Sequence, residues 1–567
     1  MYSRGEIRFS IPRSLCFLRK YFLMSSEIKH RIVIALSLLF MAITVVAGIF
    51  LLDIPCRDVA GRYAPMAEAF AEGDWQYAFH PRIPPLQTIC GGIIAKLTGL
   101  GGFMALKTAS LLWHLAGAMV LFKLLRELYP ETEKRFIAAA GVAFYAFFPY
   151  TFHMAYSGLR EPAKSCLLLL IALAVTRICR NIRDLRAYLL LGISCGLSMF
   201  NRADMVIVGS FCIFCAGVVE CRERRFPAGT LLAGAAAYAV NFFNILINWR
   251  IAGSAMPDFR FNRIFQDIFH RAPEMTDGIL CSIAIVIMIA FAAYLAEKFL
   301  RIFPPGCIIE LAVMITAVYS LHAAWLDPQA ERDEFVWSII KGCYHFAGAF
   351  ILLTILVKWY FGKLSTAEGV ICLIVLGNIV LNILAIEIFH HQLYISSRYI
   401  FTAMPLLAGF FVIGVDAIYC FLCRYVPKLY VTCLLILCCA AMAGGFFYHM
   451  FQPILRDYTR KNDIRIRQTI WELAEIIRKD YDGPEIRREN IRMDTYVSKH
   501  LPVMALPEED KISVAGFLAG GSATLQTTGA DYFVGRHLPR HLRRRAKKIG
   551  SVINFRKMEI IVWRIRK

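Results

Sequence analysis

The chain has 567 residues, of which 58% are hydrophobic and only 19% charged, and its mean hydropathy is +0.54. Soluble domains contain about a quarter charged residues and rarely hold repeated apolar runs of 18 or more residues. Such runs recur here from Ile32 to Met450, which excludes a water-soluble globular protein and indicates a polytopic membrane protein.

The first 31 residues are basic and precede the first apolar run, so we interpret residues 1–31 as a cytoplasmic N-terminus. No cleavable signal is visible, because the first run is a full-length span without a small-residue cleavage site. A start at Met24 would make residues 1–23 an extension.

The apolar runs predict a mainly α protein, a transmembrane helix bundle of about thirteen spans over residues 32–452. The predicted spans are 32–52, 103–125, 136–156, 164–179, 187–200, 204–220, 228–249, 278–298, 306–325, 337–357, 367–389, 400–421 and 429–451. Alternate short loops are rich in Arg and Lys, which places those loops in the cytoplasm. We therefore expect a multi-pass protein of a bacterial inner membrane, with its odd number of spans leaving the C-terminus outside.

The first outer loop, residues 53–102, is long and patterned. Two stretches have apolar residues at helical spacing: Val59, Tyr63, Met66 and Phe70, then Leu86, Cys90, Ile93 and Leu97. We predict two helices that lie in the membrane interface. Cys56 and Cys90 share this loop and could pair, but no disulfide framework is indicated.

Two acidic residues lie at the outer face of the predicted bundle. Asp58 follows the first span, and Glu161 stands at the turn before the fourth. Because a membrane-embedded carboxylate costs about 3 kcal/mol or more, such residues indicate function. The alternatives are a solvated loop acid for Asp58 and a helix-start acid for Glu161.

An arginine opens the twelfth span in the segment Ser396-Ser397-Arg398-Tyr399. Arg398 can bind a phosphate with two hydrogen bonds while its stem stays in the apolar layer. The alternative is an arginine that only reaches a lipid headgroup.

Further polar residues lie inside spans without a diagnostic pattern. They are Asn241, Asn244, Asn248, Asn378, Asn382 and Glu387, with His80, His153, His390 and His391 near span ends. The asparagines fit hydrogen bonds between helices or contact with substrate. The histidines lack metal-site spacing.

The C-terminal segment 453–567 is basic, with 24 Lys and Arg against 14 Asp and Glu. An apolar helical stripe from Ile466 to Ile477 and strand-like segments at 531–534, 552–555 and 559–565 predict a small soluble α/β domain outside the cytoplasm. Its charge suggests anionic lipid headgroups or phosphate-bearing substrates as partners. No nucleic-acid partner is expected, because zinc-finger spacing and RNA-binding signatures are missing from its sequence.

Several motifs follow one another in an order that resembles a known family. They are Asp58 with Arg62-Tyr63-Ala64, Glu72-Gly73-Asp74-Trp75, Pro84-Pro85-Leu86, Arg160-Glu161-Pro162, Asn201-Arg202-Ala203-Asp204, and Ser397-Arg398-Tyr399 with Pro405. This order is similar to that of GT-C glycosyltransferases, in the branch of protein mannosyltransferases and the lipid A aminoarabinose transferase. The chain departs from the pattern at Ile83, where many members have Lys, and at Ala203, where Pro is usual.

The resemblance implies a GT-C-like bundle that transfers a sugar from a polyprenyl-phosphate donor to a lipid, glycan or protein acceptor, with inversion. It implies Asp58 and Glu161 as catalytic carboxylates, with a divalent metal cation bridging them and the phosphate. The substrate-binding residues that it implies are Arg62, Tyr63, Arg82, Arg202, Arg398 and Tyr399.

Two other classes fit the span count. An O-antigen ligase or polymerase would place its large loop between late spans, whereas the large loop here follows the first span. A transporter of lipid-linked substrates would show repeated halves or charges at mid-membrane, and the sequence shows neither pattern.

Overall fold

A computed structural model of the chain describes residues 26–51, 59–80, 83–130, 135–147, 155–223, 226–302 (without 254, 257 and 258), 365–390 and, in short pieces, parts of 402–434 and 472–566. The helices of the first part are α1 Ser26–Leu51, α2 Ala64–Glu72, α3 Trp75–Ala78, α4 Leu86–Thr98, α5 Gly102–Leu128, α6 Arg135–Phe147, α7 Glu161–Arg180 and α8 Leu185–Asn201. Those that follow are α9 Met205–Arg222, α10 Ala228–Ala252, α11 Phe259–Phe269, α12 Met275–Ile302 and α13 Thr366–His390, before a 3-10 turn at Met404–Leu407.

Nine of the predicted spans each fall on a described helix: α1, α5, α6, α7, α8, α9, α10, α12 and α13. The described start of the predicted span 400–421 is instead a turn with the 3-10 segment Met404–Leu407. Five of the described helices are long and apolar enough to cross a membrane: α5, α7, α9, and α10 and α12 over most of their length. The chain is therefore a mainly helical, multi-pass integral membrane protein. The predicted spans 306–325 and 337–357 lie outside the described residues.

The core of the bundle lies around α7, which is the most buried of the five long apolar helices. Its Leu168, Ile171 and Val175 are fully buried among apolar residues of α5, α6, α8, α9 and α13. Small residues allow close helix contact, since a Cβ added at Gly192 of α8 would clash with the Ala233 carbonyl of α10. Such contacts are typical of packing between membrane helices.

The residues after α1 fold onto one end of this bundle. A π-helical turn, Val59–Tyr63, leads into α2, and Val59, Tyr63 and Met66 are buried against Leu106 of α5 and Leu159. The predicted apolar stripe is therefore a packing face. We call this end of the bundle, where 59–98 packs, the loop end.

The second predicted stripe behaves differently. Of this stripe Leu86 is buried, whereas Ile93 and Leu97 are exposed. The other buried residues of the helix are Gln87, Thr88, Gly91, Gly92 and Ala95. A Cβ added at Gly92 would lie 2.5 Å from Cδ1 of Phe70, so glycine lets α4 approach α2. An interfacial helix requires such an exposed apolar face, and the interfacial position of α4 stays a prediction.

We call the opposite end the basic end, because Arg126, Arg177, Arg180 and Arg222 lie in the last turns of α5, α7 and α9. Glu127 and Arg177 join α5 and α7 there by an ion pair of 2.7 Å. Tyr129 donates a hydrogen bond of 2.8 Å to Glu368 of α13.

The C-terminal segment contains a four-stranded sheet: β1 Ile491–Met493, β2 Tyr532–Gly535, β3 Ala546–Ile553 and β4 Glu559–Ile565, in the order β1-β2-β4-β3. The pair β1–β2 is parallel and the others are antiparallel. The predicted strand 552–555 begins six residues earlier, at Ala546, because Lys547 and Lys548 interrupt the apolar pattern but still pair with β4. Tyr532 and Arg564 both contact Asp480, which connects the sheet to the preceding segment.

Candidate functional site

Glu161, one of the two predicted catalytic acids, is the first residue of α7 and lies at the loop end. Its residue is only 1% exposed, and its Oε1 accepts a hydrogen bond of 2.9 Å from Nη1 of Arg202. Arg202 follows directly after α8, so the turn between α8 and α9 supplies the cation. The two residues are thus brought together by the chain reversal at this end.

Asp204, at the start of α9, extends the ion pair into a network. Its Oδ1 accepts a hydrogen bond of 2.8 Å from Nε of Arg202, and its Oδ2 accepts one of 2.7 Å from Nζ of Lys164. Burial would raise the pKa of the Asp204 carboxyl, but Arg202 and Lys164 outweigh burial and hold the pKa below its usual range. Asp204 therefore fixes both cations beside Glu161.

This four-residue network, which we call the charge cluster, contains two acids and two cations: Glu161, Asp204, Lys164 and Arg202. All four residues are buried. Removing one partner of a buried ion pair leaves an uncompensated charge, so buried charges are almost always paired. The cluster is balanced, and its hydrogen bonds fix the orientation of the Glu161 carboxylate.

A second arginine, Arg160, has a different environment. Its guanidinium lies 5.2 Å from the ring centroid of Tyr63, and its Nη1 donates a hydrogen bond of 3.4 Å to the Asn201 carbonyl. The Asn201 amide donates in return to the Arg160 carbonyl at 3.1 Å. Tyr63, from the first outer loop, is therefore held beside the turns that carry Glu161 and Arg202.

Polar contacts lock the loop helices onto this end of α5. Glu68 of α2 accepts a hydrogen bond of 2.9 Å from the Gly102 N–H at the start of α5. Gln87 of α4 donates to the Ser110 hydroxyl at 3.0 Å, and Ser110 donates to the Leu159 carbonyl at 2.7 Å. These contacts position the turn that precedes Arg160 and Glu161.

The structure describes some of the predicted site residues. Arg62 and Tyr63 lie in the loop-end turn, and Glu161 and Arg202 form an ion pair. Outside the described residues lie Asp58, Arg82, Arg398 and Tyr399, together with Cys56, His153 and His391. Cys90, the other cysteine of the outer loop, is a free thiol.

The predicted asparagine face of α10 is buried. Asn244 donates a weak hydrogen bond of 3.5 Å to Asn241 on the same helix. Asn248, one turn further along α10, is also buried. Asn378 of α13 is also fully buried. Both roles predicted for these asparagines, hydrogen bonds between helices and contact with substrate, remain open.

Sequence reasoning did not include Lys164 and Asp204 among the site residues. The signal was present, because a lysine inside an apolar run and an acid at a turn between two apolar runs both indicate a buried polar contact. Their partnership depends on the spacing between α7 and the turn after α8, which a single sequence does not give.

Comparisons with known proteins were made by sequence and by structure. No protein-family model and no curated protein sequence matches the chain. A structure of the Archaeoglobus fulgidus oligosaccharyltransferase tethered with an acceptor peptide matches with a TM-score of 0.50 and 11% identity, over 88% of this chain and 68% of that chain. Another, of the oligosaccharyltransferase AglB from the same organism with an inhibitory peptide and a dolichol-phosphate, has a TM-score of 0.49 and 11% identity, over 93% and 74% of the chains.

The structure of ArnT from Cupriavidus metallidurans bound to undecaprenyl phosphate covers 93% of this chain and 97% of that chain, with 14% identity and a TM-score of 0.38. These neighbours belong to the GT-C superfamily. The likeness at a TM-score of 0.50 shows that this chain has the GT-C fold.

A further structure of the archaeal oligosaccharyltransferase contains zinc and sulfate. In the described part of this chain, no group of three or more His, Cys, Asp or Glu side chains could hold a metal ion. Glu161, which the resemblance implies as a ligand, is paired with Arg202, and Asp58, the other implied ligand, lies outside the described residues. A divalent cation at Glu161 remains a prediction.

Proposed function

We propose that this chain is a membrane glycosyltransferase that transfers a sugar from a polyprenyl-phosphate donor to a lipid, glycan or protein acceptor. The charge cluster carries the proposal, because it presents a fixed carboxylate at the end of a GT-C bundle on which the first outer loop is folded. The structural neighbours bind dolichol-phosphate or undecaprenyl phosphate, which supports a lipid-phosphate donor.

The reaction that we propose is a direct displacement at the anomeric carbon. The acceptor oxygen forms a bond to that carbon, the bond between carbon and phosphate oxygen breaks, and polyprenyl phosphate leaves with the electron pair. The acceptor hydroxyl loses its proton to Asp58, which the sequence resemblance assigns as general base. A single displacement inverts the anomeric configuration.

Glu161 is proposed to orient the acceptor hydroxyl and to stabilise the positive charge that develops on the sugar ring. Arg202 is proposed to act on Glu161 as a positioning residue, since its Nε and Nη1 already donate to Asp204 and Glu161. The substrate-binding role implied for Arg202 would therefore be indirect. Arg62, Tyr63, Arg82, Arg398 and Tyr399 remain proposed contacts of the substrates.

The test is transfer by the full-length protein in lipid nanodiscs. Undecaprenyl phosphates carrying different radiolabelled sugars are supplied with membrane extracts as acceptors, and released undecaprenyl phosphate and labelled product are measured. Glu161→Gln keeps the size of the side chain but removes its charge, so we expect a loss of roughly 100-fold or more. Asp58→Asn should abolish transfer, because the amide cannot accept the proton.

The matched control is Glu127→Gln, which also breaks a pair between a glutamate and an arginine, but at the basic end. The start of α7 and Arg177 are 16 residues apart, about 24 Å along a helix. This variant should keep wild-type transfer. If Glu161→Gln and Glu127→Gln lower donor consumption equally, the proposed role of Glu161 is wrong. If the wild-type protein consumes none of the donors, the proposed function is wrong.

A further inference from the structure

Among the described residues of the loop end, one half-buried arginine is not bonded to a carboxylate. In the charge cluster, Arg202 and Lys164 are each bonded to carboxylates, so neither is available to a ligand without breaking a buried ion pair. Arg160 lies next to Glu161 in the chain but outside this network. In the described part of the chain, no carboxylate lies within ion-pair distance of its guanidinium.

The guanidinium of Arg160 is also incompletely hydrogen-bonded. Its only hydrogen bond to a described residue is the long one to the Asn201 carbonyl, and its Nε is buried without an acceptor there. A buried donor that lacks an acceptor is unfavourable, and native structures rarely keep one unless a ligand or water completes it. The Arg160 guanidinium is therefore fixed in position and still has N–H donors without an acceptor among the described residues.

Its surroundings favour an anionic ligand. A guanidinium that lies over an aromatic ring still has its in-plane N–H groups available for a fork to two phosphate oxygens. Tyr63 supplies that ring, and the two hydrogen bonds with Asn201 fix the backbone and the head of Arg160. Arg62, which precedes Tyr63 in the chain, is a second half-buried cation of the loop end.

We propose that Arg160 binds the phosphate of the polyprenyl-phosphate donor. This inference rests on the proposed function and names a residue for it that the sequence motifs did not assign. The phosphate oxygens accept hydrogen bonds from the free N–H groups of Arg160, while Arg202 keeps its bonds to Glu161 and Asp204. Arg160 therefore binds the donor, and Arg202 positions the catalytic carboxylate of Glu161.

The test measures binding of two lipids that differ only in the phosphate, undecaprenyl phosphate and undecaprenol, to the full-length protein in phosphatidylcholine nanodiscs. We expect Arg160→Met to weaken binding of undecaprenyl phosphate by about 10- to 100-fold, as the loss of charge-assisted hydrogen bonds implies. Binding of undecaprenol should not change. Arg160→Lys keeps the charge but not the fork, and its loss should be smaller.

Arg177→Lys at the basic end is the matched control and should bind both lipids like wild type. If Arg160→Met binds undecaprenyl phosphate as wild type does, or if both lipids are weakened equally, the phosphate role is wrong. Displacement of undecaprenyl phosphate by equimolar phosphatidylglycerol would also overturn it, by showing a general headgroup site. A wild-type protein that prefers neither lipid would contradict the proposed function itself.

Discussion

At the scale of single residues, the charge cluster explains why four ionisable groups are tolerated in the apolar part of the chain. Asp204 uses both carboxylate oxygens, one for Arg202 and one for Lys164. Arg202 in turn bonds to Glu161. Each group is therefore held by the others, and the orientation of Glu161 depends on a residue that it does not contact, Lys164, through the hydrogen bonds of Asp204.

This dependence can be measured with a double-mutant cycle. Asp204→Leu leaves Lys164 buried without its carboxylate, so we expect a loss of about 3–5 kcal/mol in stability and a lower Tm. Adding Lys164→Met removes the orphaned charge and leaves Arg202 paired with Glu161. The double variant should therefore recover part of the Tm that Asp204→Leu loses.

The cycle is followed by thermal unfolding in detergent and by transfer activity of the same samples. Since Arg202 loses one of its two anchors in both variants, transfer should stay low in the double variant even where Tm is regained. Additive effects on Tm would show that Asp204 and Lys164 do not interact, and full activity of the double variant would show that Asp204 does not position Glu161 through Arg202.

Part of this site could be predicted from the sequence and part could not. Glu161 and Arg202 stand out because charged residues at the ends of apolar runs are expensive and fall into a family-like order. That Arg202 bonds to Glu161, whereas Arg160 does not, depends on side-chain directions at two turns that meet in space. Sequence patterns give the positions of such turns but not the residue to which each side chain bonds.

At the scale of elements, helix positions followed from apolar runs, while packing faces did not always follow from apolar stripes. In α2 the apolar side is the buried side. In α4 Leu86 is buried together with the small residues Gly91, Gly92 and Ala95, whereas Ile93 and Leu97 of the same apolar stripe are exposed. A stripe facing lipid looks the same in sequence as a stripe facing protein, because both environments are apolar.

The packing of α4 gives a prediction at this scale. Gly92→Ala places a Cβ within 2.5–2.8 Å of three atoms of Phe70, so α4 must move away from α2. We expect a Tm lower by several degrees, consistent with a cost of about 1–3 kcal/mol for overpacking. Because the loop helices position the turn before Glu161, transfer should fall as well.

Gly369→Ala is the control for this change. Gly369 is also helical, in α13, but an added Cβ there meets no atom within 4 Å. The variant should be neutral or slightly stabilising, since alanine has the higher helix propensity. An unchanged Tm and unchanged activity for Gly92→Ala would mean that α4 does not need this close approach.

At the scale of the whole molecule, the two ends of the bundle differ in charge. The basic end carries arginines in the last turns of α5, α7 and α9, whereas the loop end carries the balanced charge cluster. The positive-inside rule predicts that the basic end lies in the cytoplasm and the loop end outside. That orientation would put the proposed active site where a lipid-linked donor meets an acceptor on the outer side of the membrane.

The orientation itself is the last prediction. Fusions to alkaline phosphatase, which is active only outside the cytoplasm, are made after Arg222 at the basic end, after Gly253 at the end of α10, and after Lys567. The helix α10 runs from the basic end to the loop end, so the first fusion should be inactive and the second active. The third should be active, because about thirteen spans leave the C-terminal segment on the same side as the loop end. Activity after Arg222 but not after Gly253 would invert the bundle and place the charge cluster in the cytoplasm. An inactive Lys567 fusion with the other two as expected would leave the site outside and change only the number of spans after α13.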